Sequence, residues 1–172
     1  MRKTPTALFA AALFVVTWTG HAAPPLTVAA EDQRQILDLI SAYSYTYDAK
    51  DLEGYLALYT QDCVWELVPR GAATPTVRAA NRDELRALVT PRLAMLQQQG
   101  IQSRHYQTNT VLTARADGQV EGRTMLHLVR QAPGEKPYTL MTGIYSDVFV
   151  RSDGSWKIAK RTLLIDQPEM AK

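Results

Sequence analysis

The chain has 172 residues, of which 46% are hydrophobic and 21% are charged. That composition is typical of an ordered globular protein and argues against a disordered one, and the length favours one domain. Arg2 and Lys3 precede every acidic residue, and without these two, 17 basic residues balance 17 acidic ones. A body without net charge has no long-range field that attracts a polyanion, so nucleic acid is not an expected partner.

The N-terminal segment has the three parts of a secretory signal peptide. Two basic residues precede a largely apolar run, residues 7–18, and small residues follow at 19–23. The run is shorter than the about 20 residues that span a bilayer. We therefore expect residues 1–22 to be a signal peptide cleaved after Ala22, giving an exported protein, periplasmic or secreted, with no stable membrane insertion. An uncleaved membrane anchor is the alternative reading.

Residues that could hold a metal or form a disulfide are scarce. Cys63 is the single cysteine, so an exported chain cannot form an internal disulfide, and its apolar surroundings favour a buried thiol. Beyond the predicted cleavage site the histidines are His105 and His127, too few for a zinc site built from His and Cys. We expect neither a metal nor a cofactor.

The first part of the mature chain is predicted to be mainly helical. An apolar stripe at three- and four-residue spacings predicts an amphipathic helix from Glu31 onward, formed by Ile36, Leu39, Ile40, Tyr43 and Tyr47. Asp48 lies on the flank of that stripe. The next patterns predict, in order, a helix over 51–59, a strand over 63–68, a loop over 69–76, and a helix that Asn81 or Asp83 caps and that ends near Gln99.

The remainder is predicted to be strands. Segments rich in Val, Thr, Tyr and Leu lie at 103–114, 120–130, 138–151 and 156–165, separated by Asp117-Gly118, Pro133-Gly134 and Asp153-Gly154. Such turns join antiparallel hairpins. Helices first and strands later predict the α+β class, in which N-terminal helices pack on a curved, mainly antiparallel sheet. We expect one domain over residues 31–166.

A few polar residues interrupt the apolar pattern and are candidates for chemistry. Alternation along the strand that begins at Ser103 places His105, Gln107 and Asn109 on one face. If this face lines a pocket, Asp48 at the end of the first helix is a plausible partner for His105. A carboxylate that holds a neutral imidazole makes it a competent general base near pH 7.

Four short motifs carry a resemblance to a known family. They are residues 43–51 (YSYTYDAKD), 104–109 (RHYQTN), 143–147 (GIYSD) and 153–161 (DGSWKIAKR). In this order and spacing they resemble SnoaL-like proteins of the nuclear transport factor 2-like superfamily, over roughly residues 32–165. Within it, they are most similar to the branch with scytalone dehydratase and hexachlorocyclohexane dehydrochlorinase.

The resemblance implies a cone-shaped α+β barrel with a deep pocket between helices and sheet. In those enzymes a helix Asp and a strand His form a dyad that removes a proton from carbon without a cofactor; Asp48 and His105 match those positions. Tyr47 matches a pocket tyrosine of the dehydratase, and Tyr43 stands where the dehydrochlorinase has its lysine. The dehydratase's second histidine and second catalytic tyrosine have no counterpart here, since Leu140 and Leu67 fall near their positions.

The expected function is that of an exported, cofactor-independent lyase or isomerase acting on a small, hydrophobic, cyclic substrate by dehydration or elimination. His105 would be the general base and Asp48 its orienting partner, with Tyr47 beside them. The expected substrate-binding residues are Tyr43, Trp65, Asn109, Tyr145 and Arg161. Asp147 and Arg161 are either an internal ion pair or two exposed charges.

Two other functions fit the same residues. The chain could be a non-catalytic module for ligand binding or assembly on the same fold, which the missing second histidine and tyrosine favour. It could also be a small subunit that scaffolds an oxygenase, although a signal peptide argues against that. A homodimer or homotrimer is expected in each case.

Overall fold

The structure, a computed structural model, describes residues 26–168, so the predicted signal peptide lies outside the described residues. Most of the helical residues precede the long strands. The elements are α1 (Ala30–Ala49), α2 (Leu52–Ala57), β1 (Tyr59–Arg70), β2 (Val77–Ala79), α3 (Arg82–Gln98), β3 (Gln102–Ala114), β4 (Val120–Gln131), β5 (Tyr138–Ser152) and β6 (Ser155–Pro168). No helix within this range is long and apolar enough to cross a membrane.

The strands of the described range form one six-stranded curved sheet in the order β2-β1-β6-β5-β4-β3. The meander β3 to β6 is antiparallel throughout, as the turn signals predicted, and β1 joins it parallel to β6. The predicted α+β class with helices on a curved, mainly antiparallel sheet is confirmed. The open edge of β3 lies beside α1, which places the end of that helix next to the start of the strand.

The second helix ends earlier than its sequence predicts. The predicted range 51–59 is wrong at its C-terminal end, because Tyr59 is the first residue of β1 and pairs with Ile158 of β6. The carbonyl oxygen of Leu58 accepts a hydrogen bond from the backbone N–H of Ile158 at 2.9 Å. A partner strand that lies a hundred residues away along the chain therefore ends the helix, and local propensity does not show it.

The apolar stripe of α1 is buried as its spacing predicts. Ile36, Leu39, Ile40, Tyr43 and Tyr47 all belong to the core. After Ala49 the chain turns at Lys50, which has a φ of 63° and donates its backbone N–H to the carbonyl of Tyr47 at 3.0 Å. This turn leaves Asp48 buried at the last turn of the helix, where its carboxylate can reach the neighbouring strand.

Asn81 caps α3, as the sequence predicted. Its side chain accepts a hydrogen bond from the backbone N–H of Glu84 at 2.8 Å, and the Glu84 carboxylate accepts one from the backbone N–H of Ala80 at 2.8 Å. This reciprocal pair satisfies backbone donors that the first turn leaves free. The apolar face of α3 packs toward the sheet with Leu85, Val89, Leu93 and Leu96 buried.

A buried ion pair lies between β5 and β6. Arg161 and Asp147 face each other across the two strands, and Nε and one Nη of the guanidinium each donate to the carboxylate at 2.8 Å. Both side chains are fully buried. Burial alone would lower the pKa of Arg161, but the adjacent Asp147 carboxylate raises this pKa well above its usual value. The two residues are therefore an internal ion pair and not exposed charges.

We predict that Arg161→Met lowers the free energy of unfolding by about 3–5 kcal/mol, because it leaves the Asp147 carboxylate buried without a partner. The double variant Asp147→Leu/Arg161→Met leaves no unpaired charge and should lose less. Urea denaturation of both variants and the wild type measures the difference. A single variant as stable as the double variant would contradict this prediction.

Candidate functional site

Asp48 and His105 are in direct contact where the end of α1 meets β3. The Asp48 carboxylate accepts two hydrogen bonds from this one residue: Oδ1 lies 2.6 Å from the ring Nδ1, and Oδ2 lies 2.9 Å from the backbone nitrogen. The two side chains are 9% and 4% exposed. Because an ionised carboxylate can only accept, Nδ1 carries the proton in this arrangement, and in the neutral imidazole the lone pair is then on Nε2.

The His105 ring borders a small, partly open cavity between helices and sheet. Its walls are mainly apolar, with aromatic side chains that include Tyr43, Tyr47, Trp65 and Tyr145, and its volume is about 50 Å³. A cavity of about 150 Å³ is known to hold one benzene molecule, and one water occupies about 30 Å³ in the liquid. In this conformation the cavity admits one or two waters, so a ring-sized ligand requires the walls to move.

The aromatic residues fix the position of the His105 ring. The ring lies 5.0 Å from Tyr47 and 5.8 Å from Tyr43, edge-on to both. The Tyr145 hydroxyl donates to the Tyr43 hydroxyl at 3.2 Å, so this pair is held in place across the helix–sheet interface. Edge-to-face packing of this kind is worth about 0.5–1.5 kcal/mol per pair beyond area burial.

The Tyr47 hydroxyl is a proton donor at neutral pH. Burial raises the pKa of Tyr47 to about 12, with a further contribution from Tyr43, while the charges of Arg92 and Arg130 act in the opposite direction. Because the phenol stays protonated at any physiological pH, it can donate a hydrogen bond to a ligand oxygen beside His105.

Two arginines that were not among the predicted site residues also line the cavity. Arg130 follows Leu126 and Leu128 at two-residue spacing on β4, so alternation was the signal that it points inward. Arg92 stands one helical turn after Leu88 on α3, and both line the same cavity. Either residue, taken alone, looks like an ordinary surface arginine.

The prediction that Asn109 lines the pocket is wrong. A bulge lies between Thr108 and Val111, and Asn109 has a φ of 54°. This bulge shifts the alternation by one residue, so Asn109 is exposed and its amide contacts Met125 Sδ at 3.3 Å. Thr110 takes the inward place instead, 3.0 Å from the hydroxyl of the buried Thr124.

The prediction that Arg161 contacts the substrate directly is also wrong for this cavity. The Arg161 guanidinium lies 4.1 Å from the ring centre of Tyr43 and 4.2 Å from that of Tyr145. These two rings stand between it and the cavity, whose lining does not include it. Its remaining Nη has no hydrogen-bond partner among the described residues, and the two ring faces are what it contacts. Arg161 therefore supports the cavity wall from behind.

A second, larger depression borders the same dyad from outside. This open groove of about 710 Å³ runs between α1 and the edge strand β3, past Asp48, Arg104 and Gln107. Gln107 bridges its two sides by donating to the carbonyl of Ile40 at 2.9 Å and the hydroxyl of Ser44 at 2.7 Å. Solvent fills such an open groove, whereas proton transfer from carbon benefits from a site that excludes water. The smaller, mainly apolar cavity is therefore the better candidate site.

Within the part of the chain that the structure describes, neither Cys63 nor the acidic residues form a second reactive or metal-binding cluster. Cys63 is buried, and burial raises the pKa of its thiol to about 11, so it stays a protonated core thiol. Within residues 26–168, no group of three or more His, Cys, Asp or Glu side chains is placed to hold a metal ion.

Solved structures with the same fold come from several bacteria. ActVI-ORFA from Streptomyces coelicolor is 22% identical with a TM-score of 0.68, and the match covers 78% of this chain and 96% of that one. A candidate scytalone dehydratase from Novosphingobium aromaticivorans is 20% identical with a TM-score of 0.66, covering 83% and 96%. A Mycobacterium tuberculosis protein of unknown function is 25% identical with a TM-score of 0.67, covering 82% and 78%.

Comparison at the level of sequence identifies the family. Among curated proteins, no sequence matches this chain. The model of the SnoaL-like domain matches residues 28–162, which contain every helix of the described range and all the cavity-lining residues except Leu163. The neighbouring structures share the cone-shaped fold in which this cavity lies. The chain belongs to the SnoaL-like family.

Proposed function

We propose that this protein is a cofactor-independent lyase or isomerase that removes a proton from a carbon of a small, hydrophobic, cyclic substrate. The observation that carries the proposal is the contact between Asp48 and His105 at the wall of a small, mainly apolar cavity. A histidine oriented by a carboxylate, beside an apolar site, is the arrangement that general-base chemistry requires.

In this reaction the lone pair of His105 Nε2 takes the proton from carbon. The electrons of the broken C–H bond form a carbon–carbon double bond, and the C–O bond to a neighbouring hydroxyl breaks. The imidazolium, stabilised by Asp48, returns the proton to the departing oxygen, which leaves as water. In an isomerisation the same proton returns to a different carbon. Tyr47 donates a hydrogen bond to a substrate oxygen on which charge builds up.

The structural neighbours share the fold and leave both the reaction and the substrate open. One of them is a candidate scytalone dehydratase, an activity of the elimination type. At 20% identity the likeness shows the fold alone, so the argument for an elimination rests on Asp48 and His105 in this chain.

A non-catalytic carrier of small ligands is the second candidate. The observation that favours it is that Leu67 and Leu140, which line the cavity, offer no acid or base at the positions where the resemblance to the dehydratase implies a second tyrosine and a second histidine. The two functions differ in one measurement, which is whether His105 is needed for turnover or only for binding.

Export and self-association belong to the same proposal. The residues that support export are the basic start, the apolar run at 7–18 and the small residues before Ala23. Self-association as a dimer or trimer is supported by the outer face of the sheet, where Tyr106, Val111 and Met125 are each more than half exposed. Large apolar side chains grouped on one face are typical of protein–protein contact surfaces.

We predict that His105→Gln lowers turnover by about 10²–10⁴-fold, the usual contribution of a general base. Asp48→Asn should also lower it, because the amide cannot accept hydrogen bonds at both positions that face His105. Loss of water from a panel of cyclic β-hydroxy ketones and β-hydroxy acids, followed by mass spectrometry, measures turnover. Deuterium uptake from D₂O, followed by NMR, reports proton removal from carbon.

The matched control for this test is His127→Gln. His127 is exposed on β4 and contacts Thr139 at 2.8 Å, away from the cavity. The control should keep full turnover. Wild-type rates in His105→Gln would rule out the proposed base, and ligand binding without turnover in the wild type would favour the carrier.

We predict that the wild type loses stability between pH 10 and pH 12 relative to Tyr47→Phe. An unfolded tyrosine ionises near pH 10, whereas folded Tyr47 has a pKa of about 12. Its stabilising contribution is complete below pH 10 and falls as the pH rises toward 12, by about 1 kcal/mol at pH 11. Urea denaturation at a series of pH values measures the difference. Parallel pH profiles would show that the Tyr47 hydroxyl is not shielded from ionisation.

We predict that the protein recovered from its native host begins at Ala23. Intact-mass measurement on periplasmic and culture fractions tests this directly. The variant Ala22→Asp should accumulate as uncleaved precursor, because signal peptidase requires a small residue before the cut. Recovery of the full-length wild-type chain from the cytoplasm would contradict export.

A further inference from the structure

The cavity contains hydrogen-bond donors that nothing in the described chain satisfies. The indole Nε1 of Trp65 is buried without a partner, and so is Nε of Arg130; both side chains line the cavity. Trp65 as a whole is only 6% exposed. A buried donor without a partner destabilises the folded protein, and more so when it is charged. A ligand that supplies acceptor atoms would remove this cost.

The acceptors near these donors are already occupied. Both oxygens of the Asp48 carboxylate accept from His105, and both oxygens of the Asp147 carboxylate accept from Arg161. The Tyr43 hydroxyl accepts from Tyr145. Among the cavity-lining side chains, two acceptors remain: the lone pair of His105 Nε2, which the proposed reaction uses, and the hydroxyl oxygen of Tyr47, toward which Arg92 donates. The cavity is therefore rich in free donors and poor in free acceptors.

The charge of the cavity also favours a ligand that carries negative charge. Arg92 and Arg130 both line it, and neither forms an ion pair with a carboxylate within residues 26–168. The two guanidiniums come from opposite walls, α3 and β4. Among the described residues that line the cavity there is no carboxylate, and Asp48, which lies on the other side of the His105 ring, is engaged by it. Two unpaired guanidiniums facing an apolar cavity are an arrangement that recognises an anion.

We propose that the substrate is a cyclic carboxylate, whose carboxylate group is held by Arg130, Arg92 and the Trp65 indole N–H while its ring packs against the tyrosines. This rests on the proposed function and specifies its substrate class. A carboxylate matches the planar donor set of a guanidinium. The mainly apolar walls, with five Tyr and Trp side chains, suit a ring, and offer few further polar contacts to a more highly charged group such as phosphate.

The same geometry would assist the chemistry. When His105 removes a proton from the carbon next to a carboxylate, negative charge moves onto the carboxylate oxygens. Arg130 and the Trp65 N–H would face that charge in a site from which water is largely excluded, where such contacts are strongest. The expected division of roles is that His105 takes the proton and Arg130 stabilises the charge left behind.

The experiment compares benzoate with benzamide, a ligand pair of nearly equal shape that differs in charge. Isothermal titration calorimetry on the purified protein gives the dissociation constants at low salt. We expect the wild type to bind benzoate at least 10-fold more tightly than benzamide. Equal affinities, or no detectable binding of either at millimolar concentration, would overturn the proposal.

Substitutions then locate the anion site. Arg130→Gln should weaken benzoate binding by 10- to 100-fold and leave benzamide almost unchanged, and Arg92→Gln should weaken it by a smaller factor because Arg92 is exposed. The matched control is Arg123→Gln, which removes the same charge from the exposed face of the same strand. An Arg130→Gln variant that binds benzoate as tightly as Arg123→Gln would overturn the proposal.

A further variant keeps the test valid if Arg130→Gln does not fold, as circular dichroism would show. Arg130→Lys keeps the charge and should still prefer benzoate over benzamide, with lower affinity; loss of that preference in a folded Arg130→Lys would count against charge recognition. Two outcomes distinguish this proposal from the proposed function. A wild type that prefers benzoate over benzamide but turns over no substrate would reject the enzyme and keep the anion site. A wild type that turns over neutral cyclic substrates at a rate unchanged by Arg130→Gln would keep the enzyme and reject the anion site.

Discussion

The two hydrogen bonds from His105 to the Asp48 carboxylate hold the site together. One comes from the imidazole and the other from the backbone of the same residue, so the carboxylate fixes both the ring and the strand that carries it. The turn at Lys50 that ends α1 is what keeps Asp48 at this position. A single side chain thereby attaches the helix to the sheet and sets the tautomer of the proposed base.

A second layer lies behind that contact and keeps the aromatic wall in register. The Arg161–Asp147 pair holds a guanidinium against the faces of Tyr43 and Tyr145, and Tyr43 in turn contacts the edge of His105. The order of contacts runs from β5 and β6 through the tyrosines to the imidazole. This explains why a buried ion pair that touches no ligand stands so close to the candidate site.

Patterns that depend on local sequence predicted their elements well. The 3.6-residue stripe located α1, Asn81 located the start of α3, and glycine turns located the meander. Features that depend on distant partners were not predictable in the same way: β6 decides where α2 ends, and a bulge turns Asn109 outward. Arg130 had the correct alternation, but no local pattern indicates that a cavity lies in front of it.

A cavity of about 50 Å³ must enlarge before it can hold a ring. Its walls differ in how firmly they are held, and this difference indicates which wall would move. The sheet side is held by strand pairing on both sides of β5, interrupted by a bulge between Leu128 and Val129, and by the Arg161–Asp147 pair. The α3 side carries Leu88 and the exposed Arg92, and Pro91 lies between them. Because proline has no N–H, the carbonyl of Ala87 receives no helical hydrogen bond from it, and helices bend most readily at such a position. Enlargement of the cavity therefore costs least through α3, the wall that carries Arg92, whereas Asp48, His105 and Arg130 stay on the fixed side. Arg92 on the movable wall and Arg130 on the fixed wall would then both approach a charged group as it enters. Helix α3, which limits the volume of the empty cavity, would thus also supply one of the two cations that hold the ligand.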